Sequence, residues 1–205
     1  KEPSSASYFK IITPDLQEKG IRDLSTIEGQ ADIDEYLDDV DLIIIDNLST
    51  LVRSGRENEA ESWVTMQEWV LRLRKAGKSV LLIHHAGKTG TSRGTSKRED
   101  VLDTVIGLKR PKGYLPTDGA KFEIHFEKAR GFDGDAAAPF EASLITDEKG
   151  IERWAFREVE AREIEEIIDL CKDGLTQREI AKEIGKSVGY VNNKIKQAKM
   201  EGLIV

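Results

Sequence analysis

The chain has 205 residues, of which 39% are hydrophobic and 34% charged, and its formal net charge is −7. This composition is typical of a globular protein with a sizeable core. No apolar run approaches the about 20 residues of a membrane span, and the acidic balance argues against nucleic-acid affinity over the whole surface. No signal peptide is visible and Cys171 is the single cysteine, so we expect a cytoplasmic protein without a disulfide framework or a membrane partner.

Two apolar runs in the first half of the chain predict a pair of parallel strands. They cover residues 42–46 and 79–85, and each ends in polar residues that can touch a ligand. Residues 58–76 between them have apolar positions near helical spacing. We therefore expect two buried strands joined by a crossover helix, with the chemistry at their carboxyl ends. Upstream we expect a strand at residues 8–12 and a short acidic helix at 31–37.

The middle of the chain predicts antiparallel strands. Residues 120–128 alternate apolar and polar side chains at the period of a strand, and residues 101–108 are apolar enough for another. Strand-like runs at 140–146 and 152–156 flank a turn. The expected fold class is therefore α/β, with parallel strands that continue into antiparallel strands, followed by a small all-α domain.

The last segment predicts a helix-turn-helix unit. It contains three helical patterns, and Thr176 with Glu179 has the spacing of a capping box at the start of the second. A turn through Gly185 separates the last two helices, as in DNA-binding units of this kind. From Thr176 onward six cations stand against three carboxylates. We expect two domains, at residues 1–157 and 161–205.

Side chains on and just before the third helix are candidates for contact with DNA. Hydroxyl, amide and aromatic groups suit base edges, and lysines suit phosphates. The candidate readers are Ser187, Tyr190, Asn192, Asn193 and Lys196, with Lys186 and Lys194 for phosphates. The alternative is that these helices form a protein-interaction domain or a structural cap.

Asp46, at the end of an isoleucine-rich run, has the pattern of a Walker B carboxylate, which holds Mg²⁺ directly or through water. The alternative is an aspartate that caps a loop. His84 and His85 end the second run, where an imidazole can donate to a γ-phosphate or orient water. Two other interpretations are a zinc pair, for which His125 is the only further histidine, and a pair packed under a loop.

A loop rich in glycine and hydroxyl groups follows the histidines. Its cations suit phosphate contacts with a nucleotide or with single-stranded DNA, and the alternative is a solvated loop. These cations are Lys88, Arg93, Lys97 and Arg98.

The segment Gly87-Lys88-Thr89 is similar to the end of a phosphate-binding loop, but it lacks the rest of that motif. The motif requires a glycine five residues before Gly87, and that position is Leu82. The 205 residues therefore contain no phosphate-binding loop.

Lys128 and Arg130 lie two residues apart at the end of a predicted strand and so point the same way. Two neighbouring cations repel unless an anion lies between them. The triphosphate of an adjacent subunit would serve, with the two cations as fingers that act in trans. The alternative is an ordinary exposed basic strand end.

The combined motifs resemble the RecA-like ATPases of the RepA-type hexameric helicase group. The resemblance covers about residues 8–157, and its motifs lie at residues 42–47, 84–88, 93–96 and 127–131. It implies a RecA-like sheet, ATP with Mg²⁺, and a homo-oligomeric ring, expected to be a hexamer, that acts on DNA.

The resemblance also implies a role for each motif. Asp46 is the Walker B residue and the Mg²⁺ ligand, and His85 with His84 forms the sensor motif. Lys128 and Arg130 reach the adjacent subunit's site. The loop at residues 86–98 faces the channel through which DNA passes.

The family's phosphate loop and catalytic glutamate lie upstream of the strand predicted near Tyr8. We therefore expect this chain, which begins with Lys1, to be the C-terminal portion of a longer DNA-associated ATPase of the helicase, replication or repair type, inactive by itself. One alternative is a non-catalytic transcriptional or plasmid regulator whose α/β part only oligomerises. The other is an enzyme that uses His84, His85 and Asp46 in metal-assisted hydrolysis.

Overall fold

The computed structural model describes residues 8–53, 59–85 and 99–204. The chain forms two compact units, residues 1–102 and 103–205. The predicted α/β class is confirmed, with parallel strands first, antiparallel strands next and helices last. The described strands form two sheets, one in each unit. The domains expected at 1–157 and 161–205 rest on sequence pattern and stay a prediction.

The first unit contains the predicted pair of parallel strands. Its described elements are α1 (Ile27–Asp34), β1 (Leu42–Asp46), α2 (Leu48–Leu51), α3 (Glu59–Lys75) and β2 (Ser79–Ile83), with a 3-10 turn at Pro14–Leu16. α3 is the expected crossover helix, and Gly77, with φ of 84°, follows it. The strand expected at residues 8–12 was wrong: no strand forms there, and Tyr8 and Phe9 are exposed.

We expected the two parallel strands to be buried. In the structure, β1 is buried on one face only. Ile43 and Ile45 are buried, but Leu42 and Ile44 remain 53% and 52% exposed. Successive side chains of a strand point to opposite faces, so one face of the pair packs on the core and the other is open to solvent. The isoleucine-rich run alone could not show this difference.

The core of the first unit forms between β1 and α3. Met66 and Trp69 of α3 are fully buried and pack in one cluster with Ile43 and Ile45. The indole Nε1 of Trp69 donates to Asp34 Oδ1 at 2.7 Å, which satisfies the polar atom of this buried ring. This packing holds the carboxyl end of β1 in place.

The second unit contains an antiparallel sheet followed by three helices. Its elements are β3 (Thr104–Lys109), β4 (Lys121–Ala129), β5 (Phe140–Thr146), β6 (Glu152–Glu158), α4 (Val159–Lys172), α5 (Gln177–Ile184) and α6 (Val188–Met200), with 3-10 turns at Pro116–Asp118 and Gly134–Ala137. The strands pair in chain order, β3-β4-β5-β6. These bounds confirm the strands and helices predicted for this part of the sequence.

The two faces of the antiparallel sheet differ in polarity. One carries aromatic side chains, and the rings of Phe126 and Phe140 lie 6.4 Å apart. The other carries Glu123 and Glu141, which lie opposite each other on β4 and β5. Arg162 of α4 pairs with both carboxylates, at 2.7 and 2.9 Å. This ion-pair cluster attaches the first of the three helices to the sheet.

The three helices share a small apolar core. Ile167 of α4, Ile180 of α5 and Val191 of α6 are fully buried in one cluster. The predicted capping box at the start of α5 is confirmed, because Thr176 Oγ1 accepts from the backbone N–H of Glu179 and the Glu179 carboxylate accepts from the N–H of Thr176. The backbone hydrogen bonds thus begin α5 at the position that the sequence indicates.

Candidate functional site

The carboxyl ends of β1 and β2 form the first candidate site. The strand register places Asp46 opposite Ile83, so the residues that follow each strand lie at the same edge of the sheet. Asp46, His84 and His85 are all exposed. Ligands of α/β proteins bind at this edge of a parallel sheet. The predicted ligand contacts of the three side chains stay a prediction.

A hydrogen bond joins the two strand ends. The side-chain amide of Asn47 and Nε2 of His85 are 3.0 Å apart. Asn47 is also the N-cap of α2, and its Oδ1 accepts from the backbone N–H of Thr50 at 3.2 Å. The ring of His85 is therefore tied to the residue next to Asp46. Sequence reasoning missed Asn47, although asparagine is among the residues most favoured as a helix N-cap.

The basic loop predicted to contact nucleotide or DNA lies outside the described residues. Its candidates are Lys88, Arg93, Lys97 and Arg98. Their assignment stays a prediction.

Lys128 and Arg130 belong to the second unit. Lys128 lies opposite Val105 in the β3–β4 ladder and is partly buried, and Arg130 follows the strand and is exposed. The backbone N–H of Arg130 donates to the carbonyl of Asp103 at 2.8 Å, which fixes the chain just after β4. Their expected role as fingers in trans stays a prediction.

The last two helices have the geometry of a helix-turn-helix. Gly185 ends α5 in the left-handed conformation, with φ of 71°, which glycine adopts without steric cost. Ser187 caps α6, because its Oγ accepts from the N–H of Tyr190 at 3.1 Å. This cap uses the Ser187 oxygen as an acceptor and does not use its O–H as a donor.

The candidate readers divide between two sides of α6. Asn193 and Lys196 are exposed, and Asn192 is partly exposed. Residues 192, 193 and 196 lie within one helical turn of each other, so these polar side chains present a continuous surface. The predicted contact of this surface with bases and phosphates stays a prediction.

The other side of α6 faces acidic residues of α4. The hydroxyl of Tyr190 donates to Glu163, whose other oxygen lies 2.9 Å from Nζ of Lys186. Lys194 forms an ion pair with Glu160. Both lysines also lie over the ring of Tyr190, at 5.0 and 5.6 Å from its centroid. Three of the predicted DNA contacts are thus held by carboxylates of their own domain.

This contact changes the acidity of its members. Burial and the hydrogen bond to Glu163 both raise the pKa of the Tyr190 hydroxyl. Burial alone would raise the pKa of Glu163, but the hydrogen bond from Tyr190 and the charge of Lys186 outweigh it and hold that pKa below its usual range. Glu163 is therefore ionised and Tyr190 neutral at neutral pH. Glu160 and Glu163, one turn apart on a helix, are the sequence signal that could have indicated this contact.

Two family models match parts of the chain. Residues 16–91, which include Asp46 and both histidines, match the AAA domain. Residues 164–205 match the winged helix-turn-helix DNA-binding family. No curated relative and no solved structure matches the chain. Together the two matches support a DNA-associated, ATPase-like protein with nucleotide binding in its first unit and DNA binding at its C-terminal helices.

The described residues contain neither a candidate membrane span nor a candidate metal cluster. None of the helices there combines the length and the apolar character needed to cross a membrane. Within the same ranges, no three histidine, cysteine or acidic side chains lie close enough to hold a metal ion.

Proposed function

We propose that the protein is part of a RecA-like ATPase that works on DNA as a helicase or as a replication or repair motor in the cytoplasm. The observation that carries this proposal is the strand edge where Asp46 stands beside the hydrogen-bonded pair Asn47 and His85. This edge lies inside the segment that matches the AAA domain. The helix-turn-helix would then attach the motor to DNA.

ATP with Mg²⁺ is the cofactor we propose for the strand edge. Mg²⁺ takes one or two protein carboxylates and fills its other positions with water and phosphate oxygens. One exposed carboxylate, Asp46, fits that requirement without a cluster of acidic side chains. Bound there, the ion would neutralise charge on the phosphates, while His84 and His85 would contact the terminal phosphate or its water.

The 205 residues contain no phosphate-binding motif, so the proposed ATPase requires a phosphate-binding loop from elsewhere. We place it upstream, in a longer form of the same chain. We further propose a homo-oligomeric ring, a hexamer, in which Lys128 and Arg130 of one subunit reach the nucleotide of the next.

The test is the binding of a fluorescent ATP analogue with Mg²⁺. It compares the 205-residue chain with the same chain extended upstream in its natural reading frame. We expect only the extended chain to bind the analogue. The Asp46→Asn substitution should abolish the Mg²⁺ dependence of that binding. Asp41→Asn, an exposed aspartate just before the other end of β1, is the matched control. If the extended chain does not bind either, the Walker B assignment of Asp46 fails.

A second candidate function is a non-catalytic, DNA-binding regulator. The observation that favours it is that the 205 residues contain a capped helix-turn-helix but no phosphate-loop motif. A regulator would keep its DNA affinity after Asp46→Ala or Lys128→Ala and would show no ATPase activity when extended upstream. The motor would lose its turnover with either change.

A further inference from the structure

The hydrogen bonds of Asn47 determine which nitrogen of His85 carries the proton. One amide atom of Asn47 faces the backbone N–H of Thr50 at 3.2 Å, and this N–H is shared with the backbone carbonyl of Asn47 at the same distance. Of the two amide atoms only the oxygen can accept a hydrogen bond, so the atom that faces the N–H of Thr50 is the oxygen. The atom that faces His85 must then be the NH₂ group.

An NH₂ group is a donor, so Nε2 of His85 must accept. The distance between them is 3.0 Å, within the range of an ordinary hydrogen bond. A neutral imidazole has one donor and one acceptor nitrogen, and the proton must therefore lie on Nδ1. A doubly protonated ring would place two donors against each other and lose this bond.

We propose that Asn47 is a positioning residue that fixes the tautomer of the neutral His85 ring, with its proton on Nδ1. Among the contacts of the described residues, the ring then keeps one further function, which is to donate a hydrogen bond from Nδ1. Its ligand must be an acceptor such as a phosphate oxygen or a water oxygen. A metal ion needs an unprotonated nitrogen, and here Nε2 is occupied and Nδ1 protonated, so this tautomer opposes a zinc site at His85.

The role of Nδ1 at a phosphate rests on the proposed nucleotide site, whereas the tautomer itself does not. The capping role of Asn47 suits this task, because the bond to Thr50 fixes the amide before any ligand arrives. Asn47, the N-cap of α2, thus holds the ring of His85, which follows β2. In the described part of the chain this contact involves no dedicated carboxylate.

His125 supplies an internal reference in the same chain. Its Nε2 lies 2.9 Å from Oε2 of Glu123, an acceptor, so this nitrogen must carry a proton. We therefore expect Nε2 to be unprotonated in His85 and protonated in His125. This contrast does not depend on any ligand.

The experiment is nitrogen NMR of the 205-residue chain with ¹⁵N-labelled histidine, above the pH range in which imidazoles titrate. We expect an unprotonated Nε2 for His85 and a protonated Nε2 for His125, with the signals assigned through His85→Gln. Asn47→Asp keeps a good cap but replaces the donor by an acceptor, so the proton of His85 should move to Nε2. Asn47→Ser, which also caps, should release the ring to its unconstrained mixture.

Protonated Nε2 in the unmodified chain, or an unchanged ring in Asn47→Asp, would overturn the proposal. The functional arm uses the chain extended upstream, where Asn47→Asp should keep nucleotide binding but lower turnover about a hundredfold, the effect of losing one oriented donor. Unchanged turnover would refute the positioning role. If the extended chain binds no nucleotide, the proposed function and this role fall together, while the NMR result still decides the tautomer.

Discussion

The hydroxyl of Tyr190 donates a hydrogen bond to the carboxylate of Glu163, and this bond ties α6 to α4. Lys186 pairs with the same carboxylate, and Lys194 pairs with Glu160. One side of α6 is therefore neutralised by its own domain. The side with Asn193 and Lys196 is exposed, and we expect DNA to bind there.

Lys196→Ala should weaken DNA binding at all sequences, because an exposed lysine on this surface neutralises a phosphate. The slope of log affinity against log salt should fall by about 1. Fluorescence anisotropy with a labelled duplex over a salt series measures both quantities. Lys194→Ala is the matched control. Because Lys194 is already paired with Glu160, this substitution should change the slope much less. An equal or larger loss with Lys194→Ala would mean that DNA displaces Glu160 and binds the other side of α6.

Glu163→Gln should lower the stability of the helical part by about 1 kcal/mol at neutral pH, the net contribution of a hydrogen bond to a charged group that is partly solvated. The native pKa of Glu163 lies below its unfolded value of about 4.3. Its stabilising contribution is therefore present above pH 4.3 or so and is lost as the pH falls through the lower, native pKa. The unmodified protein and Glu163→Gln should therefore have similar stability at the acidic end of the pH range.

Thermal unfolding over a pH series tests this convergence. The control is Glu165→Gln, because Glu165 lies on the same helix but its pair with Arg157 is mostly exposed. The control should follow the unmodified protein throughout. A constant offset of Glu163→Gln at every pH would show that the ionised form of Glu163 is not what stabilises the contact.

Patterns within single elements predicted most of the fold. The two isoleucine- and leucine-rich runs predicted the parallel strands, with Asp46 and His85 at one edge of the sheet. The capping box at Thr176 gave the start of α5. Each of these signals depends on neighbours in the chain, which a sequence displays directly.

Contacts between distant residues were not predicted. Glu160 lies 34 residues from Lys194, and Asn47 lies 38 from His85, so no local period joins them. The strand expected at residues 8–12 was wrong for the same reason, since a strand requires a pairing partner and composition does not supply one. The open face of Leu42 and Ile44 likewise depends on what packs there.

Gly29→Ala should destabilise the first unit by about 3 kcal/mol, because the added methyl group forces the backbone of α1 to move. A Cβ at Gly29 would lie 2.0 Å from the backbone oxygen of Asp23. Gly189→Ala is the matched change in an open helical position, where the nearest heavy atom would be 3.9 Å away. That change should stabilise α6 by about 0.8 kcal/mol. Denaturant unfolding of both variants measures the difference, and equal effects would contradict the close approach of α1 to Asp23.

Arg162→Met should destabilise the second unit by about 3 kcal/mol, because it leaves two largely buried carboxylates without their shared cation. Glu123 and Glu141 lie directly opposite each other on β4 and β5, and Arg162 pairs with both. Like charges in opposed positions destabilise a sheet. Arg157→Met removes an arginine from an exposed pair with Glu165 and should cost less than about 1 kcal/mol.

Neutral partners should restore the loss at Arg162. The triple variant Arg162→Met, Glu123→Gln and Glu141→Gln removes the charges together with their cation, and its stability should return close to that of the unmodified chain. Urea unfolding of the four proteins tests this expectation. A triple variant as unstable as the single one would show that Arg162 acts through the packing of its alkyl chain and not through its charge.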